Sequence, residues 1–167
     1  NLQYILEKYD IWSKYEPETS GVLIVYGSMY GNTENLANVL ASLLAESGVT
    51  HIAMHDVSTS HVSELIADAF RYSHIVLAAP TYNGGIYPAM ASYLEDMKAL
   101  NVQNRTVAVL GNGTWAPTST KQITEKLQSM KHMTLLTEDF SIKSTLQETQ
   151  MEELHAICRK ISDSIRS

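Results

Sequence analysis

Cysteine is nearly absent from this chain. Cys158 is the single one in 167 residues. No intrachain disulfide can form, so the chain is not a disulfide-stapled scaffold, and one thiol fits a reducing compartment. No apolar run approaches the ~20 residues that span a bilayer, and no signal-peptide pattern stands at the start of the sequence. The expectation is a cytoplasmic protein with no membrane contact. Positive charge is missing from a long stretch: no Lys or Arg lies between Lys14 and Arg71, whereas Glu16, Glu18, Glu34, Glu46, Asp56, Glu64 and Asp68 all do. With a net charge of -6, binding of nucleic acid through its phosphates is disfavoured, as is binding to anionic lipid. Such charge reads as an ordinary solvated surface or, if it has a use, as a means of steering a basic protein partner. Repeats and low-complexity segments are also absent.

What is present fits one domain with a short appendage. Leu2, Ile5, Leu6, Tyr9 and Trp12 follow helical spacing, and Pro17 and Gly21 break that helix. Residues 1–20 are expected to be a linker from an upstream domain, since residue 1 is Asn, and residues 21–167 the domain proper. From Gly21 onward strands and helices alternate. Val22–Tyr26, Ile75–Ala79 and Thr106–Leu110 are short continuous apolar runs, as in strands buried on both faces. Val49–Met54 is expected as a second strand and Met133–Ile142 as a weaker edge strand. Helical stripes run through Leu36, Val39, Leu40, Leu43 and Leu44, through residues 60–70, through Met90, Tyr93, Leu94 and Met97, through Ile123, Leu127 and Met130, and through Met151 to Ile165. Gly48 closes the first of these. Pro88 and Pro117 suit helix starts, and Thr145 with Glu148 makes a capping-box signature. Right-handed crossovers then give an α/β fold, a doubly wound five-stranded parallel sheet of order 2-1-3-4-5.

In that order the strand direction of travel reverses between strands one and three, and ligands bind there, at the carboxyl ends. The loops after strands one, three and four are the least ordinary parts of the sequence. Gly27-Ser28-Met29-Tyr30-Gly31-Asn32-Thr33 is rich in hydroxyls and glycine and runs into a helix N-terminus, where unpaired N–H groups favour an anion. It has no Lys, so it is not a Walker A loop. A plain turn capped by Asn32 or Thr33 would read the same way. Pro80-Thr81-Tyr82-Asn83-Gly84-Gly85-Ile86-Tyr87-Pro88 combines glycines that let a backbone approach a flat ligand with the aromatic faces of Tyr82 and Tyr87, though Asn-Gly-Gly is also turn chemistry by itself. Gly111-Asn112-Gly113-Thr114-Trp115-Ala116 puts a Trp in a loop, to pack on the domain or to wall a ring. It also matches G-x-G-x-x-A, with Glu138 and Asp139 downstream, but that dinucleotide fingerprint belongs on the first strand of its fold.

On these residues the sequence resembles a known family. VLIVYGSMYGNT, residues 22–33, is similar to the phosphate loop of flavodoxins and closer to the flavodoxin-like domain of flavodiiron proteins (A-type flavoproteins). PTYNGGIYP, residues 80–88, resembles the second flavin loop of that subfamily, and Tyr4–Trp12 the segment joining its di-iron domain to its flavodoxin domain. The resemblance implies FMN. Ser28, Met29, Tyr30, Gly31, Asn32 and Thr33 would cradle the phosphate; Pro80, Thr81, Tyr82, Asn83, Gly84 and Gly85 would border the ring; Asn112, Gly113, Thr114 and Trp115 would cover its other side. The family often has Ser-Tyr-Gly-Trp in this last loop, so Gly113 stands where Tyr is common. The implied function is electron transfer, with no bond-making residue and the redox chemistry carried by the flavin. An acidic surround should disfavour added negative charge on a reduced flavin and lower its potential. The implied partners are a reductase or rubredoxin-like donor and, as acceptor, a di-iron domain that reduces dioxygen or nitric oxide and is not in this sequence. The resemblance leaves room for a homo-oligomer of the full-length protein.

Other readings stand beside it. An NAD(P)H-dependent FMN or quinone reductase shares fold and cofactor but needs a second, substrate space; a stand-alone flavodoxin and a ligand-free docking module are further alternatives. A response-regulator receiver is excluded, because Ser28-Met29 and Pro80-Thr81 stand where it needs acids. His51, His55, Asp56 and His61 cluster near strand two, but a metal needs a convergent ligand set, so these read as surface histidines and no metal is expected. Cys158 reads as a core residue, and Ser28 lacks a G-x-S-x-G elbow.

Overall fold

Parallel strands with helices on both faces must be apolar on both sides, and this sets the architecture. A computed structural model describes residues 2–27, 31–82, 85–112, 116–142 and 148–167. In chain order the elements are α1 (Leu2–Ser13), β1 (Thr19–Tyr26), α2 (Asn32–Glu46), β2 (Ile52–Asp56), α3 (Val62–Arg71), β3 (Tyr72–Tyr82), β4 (Gly85–Ile86), α4 (Pro88–Ala99), β5 (Thr106–Asn112), α5 (Ala116–Gln128), β6 (Thr134–Ile142) and α6 (Glu148–Arg166). The long strands lie in the order β2-β1-β3-β5-β6 and are parallel throughout. This is the expected 2-1-3-4-5 sheet. The two-residue β4 was not expected; it pairs antiparallel with the end of β3, Thr81 opposite Ile86 and Tyr82 opposite Gly85.

Side chains of period two divide the core. Leu23, Val25, Ile75, Leu77, Val107 and Val109 face α3, α4 and α5, meeting Leu65, Met90, Leu94, Met97, Ile123 and Leu127. Val22, Ile24, Val76, Ala78, Ala108 and Leu110 face α2 and α6, meeting Leu36, Leu40, Leu44, Leu154, Cys158 and Ile161. Burying each larger aliphatic side chain contributes about 1.5–3 kcal/mol. Cys158 is thus a core residue of α6.

Helix ends explain where the strands start. Gly48, at φ +100°, closes α2: its N–H donates to the Ala45 carbonyl and that of Val49 to the Leu44 carbonyl, a Schellman arrangement. Val49 is thereby committed to the turn, and β2 starts at Ile52, opposite Val22, three residues later than the apolar pattern suggests. β1 opens at Thr19, two residues before Gly21. Residues 143–147, including Thr145 of the expected capping box, lie outside the described residues.

At the amino edge of the sheet, Arg105 is 2% exposed. Its Nε donates to the Ala69 carbonyl (3.1 Å) and Nη2 to that of Phe70 (2.7 Å), both in the last turn of α3. Nη1 donates to the carbonyls of Tyr15 (2.7 Å), Gln103 (2.8 Å) and Asn104 (3.0 Å). Burial lowers its pKa to about 10, so it stays charged at neutral pH. Tyr15, with φ +57°, is also held by Asn101, whose amide donates to the Tyr15 hydroxyl. The helix before this joint, α1, leaves Leu2, Tyr4, Ile5 and Leu6 more than half exposed.

His74, on β3, is 6% exposed. Its Nδ1 lies 2.6 Å from Ser73 Oγ and its Nε2 2.9 Å from Ser164 Oγ on α6. Burial lowers its pKa below the ordinary 6.5. The unfolded chain therefore binds the proton more readily than the folded one. The stability from the neutral ring is complete above about pH 6.5 and is lost as pH falls through the depressed folded value. His74→Gln is expected to flatten the loss of stability between pH 7 and pH 5, measured by urea unfolding at each pH; an unchanged slope would refute this origin.

Candidate functional site

The strand order brings the three unusual loops together. Chain travel from β1 to β2 goes to one side and on to β3 returns to the other, so the switch point lies between β1 and β3. Tyr26 at the end of β1 is level with Ala78, and Pro80 is level with Asn112 at the end of β5. The carboxyl ends of β1, β3 and β5 are thus adjacent. None of the loops they feed, at 27–33, 80–88 and 111–116, contains Lys or Arg.

The first loop enters α2 through Gly31, which occupies the N-cap position at φ +84°. That left-handed backbone favours glycine, and a Cβ built there would meet nothing within 4 Å. The N-cap residue offers no side chain to accept from the first helical N–H groups; the N-cap position belongs to Gly31, and Asn32 and Thr33 are the first two residues of the helix itself. Thr33 is 1% exposed. This end of α2 has the donor chemistry of an anion site built from backbone dipoles. The neighbouring charges are negative. Glu34 lies in the first turn, and the Tyr26 hydroxyl donates to it at 3.5 Å. Burial, then Glu34 and then Asp56, push the Tyr26 phenol above its ordinary pKa.

The second loop is anchored from below. Pro80 is buried at the end of the β3–β5 ladder, and Gly85 returns in β4. Tyr87 does not offer its ring freely, as the sequence suggests. The ring lies against Gly27, where a Cβ would come within 2.5 Å of Cδ1 and 2.6 Å of Cε1, and 3.2 Å of Val57 Cγ1. The Tyr87 hydroxyl is 2.7 Å from Ser58 Oγ, and the Ser58 N–H donates to Asp56 Oδ1 at 2.8 Å. Gly27, Ser58 and Tyr87 therefore tie the first and second loops and the end of β2 into one frame. Sequence reasoning missed Ser58; the Asp56-Val57-Ser58 turn was its available signal.

Of the expected contact residues, Gly31, Asn32, Thr33, Pro80, Thr81, Tyr82, Gly85 and Asn112 fall in described backbone and gather at this edge. Ser28, Met29, Tyr30, Asn83, Gly84, Gly113, Thr114 and Trp115 lie outside the described residues. Among the described residues no group of three His, Cys, Asp or Glu could hold a metal. His55 Nε2 pairs with Asp68 Oδ2 at 2.7 Å, and His61 Nδ1 accepts from the Ser63 N–H as the N-cap of α3. A cavity of about 390 Å³, lined by Glu18, Ala67, Phe70 and Arg71, opens at the opposite edge of the sheet. Among the described residues, no helix is long and apolar enough to cross a membrane.

Comparison with known proteins bears on this edge. The sequence profile of the flavodoxin family matches residues 24–157. The chain is 27% identical over 164 residues to the rubredoxin-oxygen oxidoreductase of Megalodesulfovibrio gigas, covering 98% of this chain and 40% of that protein. It superposes on the solved rubredoxin oxygen:oxidoreductase of Desulfovibrio gigas with a TM-score of 0.85 at 27% identity, over 99% of this chain and 40% of that one. On the flavodiiron protein of Giardia intestinalis the TM-score is 0.86 at 20% identity, over 96% and 39%. The chain spans about 40% of the length of these relatives and resembles their flavodoxin-like part. With a nucleotide-type switch point, an anion-favouring helix start and a family profile over most of its length, the chain belongs to the flavodoxin family, the FMN-binding electron-transfer domains.

Proposed function

We propose that this chain is the FMN domain of a flavodiiron-type oxidoreductase. It would accept electrons from a reductase or rubredoxin-like donor and pass them to a di-iron centre in a separate domain, where dioxygen or nitric oxide is reduced, within a cytoplasmic and oligomeric whole protein. The observation that carries this reading is the extent of the likeness. The flavodoxin profile begins only at residue 24, whereas the match to rubredoxin-oxygen oxidoreductase runs over 98% of the chain and so takes in α1 and its connection. On this reading residues 1–20 are the linker segment and residues 21–167 the flavin domain.

The site residues are assigned by chemistry. Ser28 to Thr33 would hold the phosphate with hydroxyls and backbone N–H groups, at the α2 terminus that Gly31 opens. Pro80 to Gly85 would border the ring with backbone, and Asn112 to Trp115 would cover its other face. FMN, when bound, supplies the electron-carrying chemistry. The protein's part is to orient the ring, exclude water from one face and set the surrounding charge. Glu34 and Asp56, with no cation in the loops, make that surround negative.

Titration of the apoprotein with FMN, followed by quenching of flavin fluorescence, is expected to give one site per chain. Riboflavin should bind at least about tenfold more weakly, because it forgoes several charge-assisted hydrogen bonds in the first loop. Equal affinities would remove the phosphate assignment, and absence of FMN binding would remove the whole reading. Direct bleaching of the bound flavin by NAD(P)H, without a reductase, would favour the reductase alternative.

A further inference from the structure

A helix packed on its neighbour is apolar along the seam, and a carboxylate on that seam calls for a partner. α4 presents Ala89, Ser92, Tyr93 and Asp96, the i, i+3, i+4, i+7 spacing of one helix face, to a groove between itself and α3. Asp96 is half-buried, yet among the described residues nothing pairs with its carboxylate. The acids around it are engaged. Glu95 pairs with Lys126, Asp68 with His55 and Arg71, and Asp56 accepts from the Ser58 N–H.

The groove is a slot for one side chain. Its volume is about 260 Å³, below the roughly 300–1,000 Å³ of pockets that take a whole small molecule. Val57 and Leu65 are buried beneath it, and the Tyr93 hydroxyl donates to the Leu65 carbonyl at 2.9 Å, which fixes the floor between the two helices. Val62 leaves an apolar rim open to water, 48% exposed. Among the described residues no Lys or Arg lines the groove. Lys98, two residues after Asp96, lines a different cavity with Lys131, and Arg71 is held by Asp68. Val57 also borders the contact of Gly27 with Tyr87, so the groove is continuous with the frame of the first two loops. An occupant must bring an apolar stem and a positive head.

We propose that this groove receives an arginine side chain of a basic partner protein, the guanidinium on the Asp96 carboxylate and the stem along Val57, Val62 and Leu65. Arginine covers apolar surface with its stem while its head meets a counter-charge. Its five donors suffice for both carboxylate oxygens and for the Ser92 hydroxyl one turn earlier on α4. A guanidinium is also more weakly hydrated than an ammonium, so a half-buried carboxylate takes it from water more easily. The net charge of -6 steers a basic surface toward the chain, and the slot gives that surface a fixed place beside the loops at the carboxyl edge.

The test is a titration of the full chain with acetyl-Gly-Arg-Gly-amide, followed by backbone amide NMR shifts. The comparison peptide carries citrulline, which keeps the stem and the planar head without the charge. Shifts should gather on Ser60, Val62, Ser92 and Asp96, and the arginine peptide should bind about fivefold more tightly or better. Asp96→Asn should bring the arginine peptide within about twofold of the citrulline one. Glu95→Gln removes the same charge from the next residue, outside the groove, and should leave the arginine affinity within about twofold. Equal affinities of the two peptides for wild type, or equal losses in the two variants, would overturn the inference. So would a dimer in sedimentation velocity that Asp96→Asn abolishes, because the groove would then hold a second copy of this chain. The readout contains no flavin, so this inference and the flavin reading fail separately.

Discussion

Arg105→Ala is expected to lower the unfolding free energy by about 3–4 kcal/mol, read as a fall in the urea midpoint at unchanged slope. The guanidinium supplies the donors for five backbone carbonyls, those of Tyr15, Ala69, Phe70, Gln103 and Asn104. Two of them, Ala69 and Phe70, belong to the last turn of α3, where carbonyls have no partner within the helix. The positive charge also complements the negative end of that helix dipole. Against these gains stands the cost of burying a cation without a carboxylate, which is why the net figure is far below five charged hydrogen bonds. Arg105→Lys should recover less than half, because an ammonium on a flexible stem cannot address carbonyls from three segments at once. A loss below about 1 kcal/mol for the Ala variant would show that the carbonyls find water instead.

Gly27→Ala is expected to cost about 2–3 kcal/mol and to weaken FMN binding by about tenfold or more. The added methyl would overlap two ring carbons of Tyr87 and press on Val57. The ring cannot yield without breaking its hydroxyl contact to Ser58, and Tyr87 is the N-cap residue of α4, at the end of the second loop. Both sides of the frame would shift together. A double-mutant cycle isolates the clash: in a Tyr87→Leu background the Gly27→Ala change should cost less than half as much, a coupling of about 1–2 kcal/mol. Additive losses would mean that the methyl disturbs β1 itself rather than the ring.

Much of the sheet was legible because a strand covered on both faces has no alternative composition. Val22, Leu23, Ile24 and Val25 are all fully buried, as are Ile75, Leu77, Ala78 and Ala79, and an unbroken apolar run says as much. The stripe of α2 was equally readable, with Leu36, Leu40 and Leu44 facing the core. Other features depend on contacts that no local pattern carries. β2 was displaced because the cap of α2 claims Val49. β4 was hidden because Asn-Gly-Gly reads as a loop whether or not two residues pair across it. Tyr87 was expected to offer its ring to a ligand, and the absence of a side chain at Gly27 drew it elsewhere. Arg105 could not be foreseen at all, since arginine is an outside residue by composition and its partners are backbone carbonyls, which every residue has. For the site, the three loops and their meeting point followed from strand order, whereas the frame that holds them, Gly27 with Ser58 and Tyr87, is tertiary.

The joint at Tyr15 gives α1 the mechanics of a lever. Its fulcrum is fixed: the Tyr15 carbonyl is gripped by Arg105 and its hydroxyl by Asn101. Twelve helical residues make an arm of ~18 Å, so a tilt of ~10° at the fulcrum would swing the far end by ~3 Å. Anything that grasps the exposed Leu2, Tyr4, Ile5 and Leu6 would be aimed at the sheet through that bearing, and its alignment would be only as true as the seating of Tyr15 on Arg105 and Asn101.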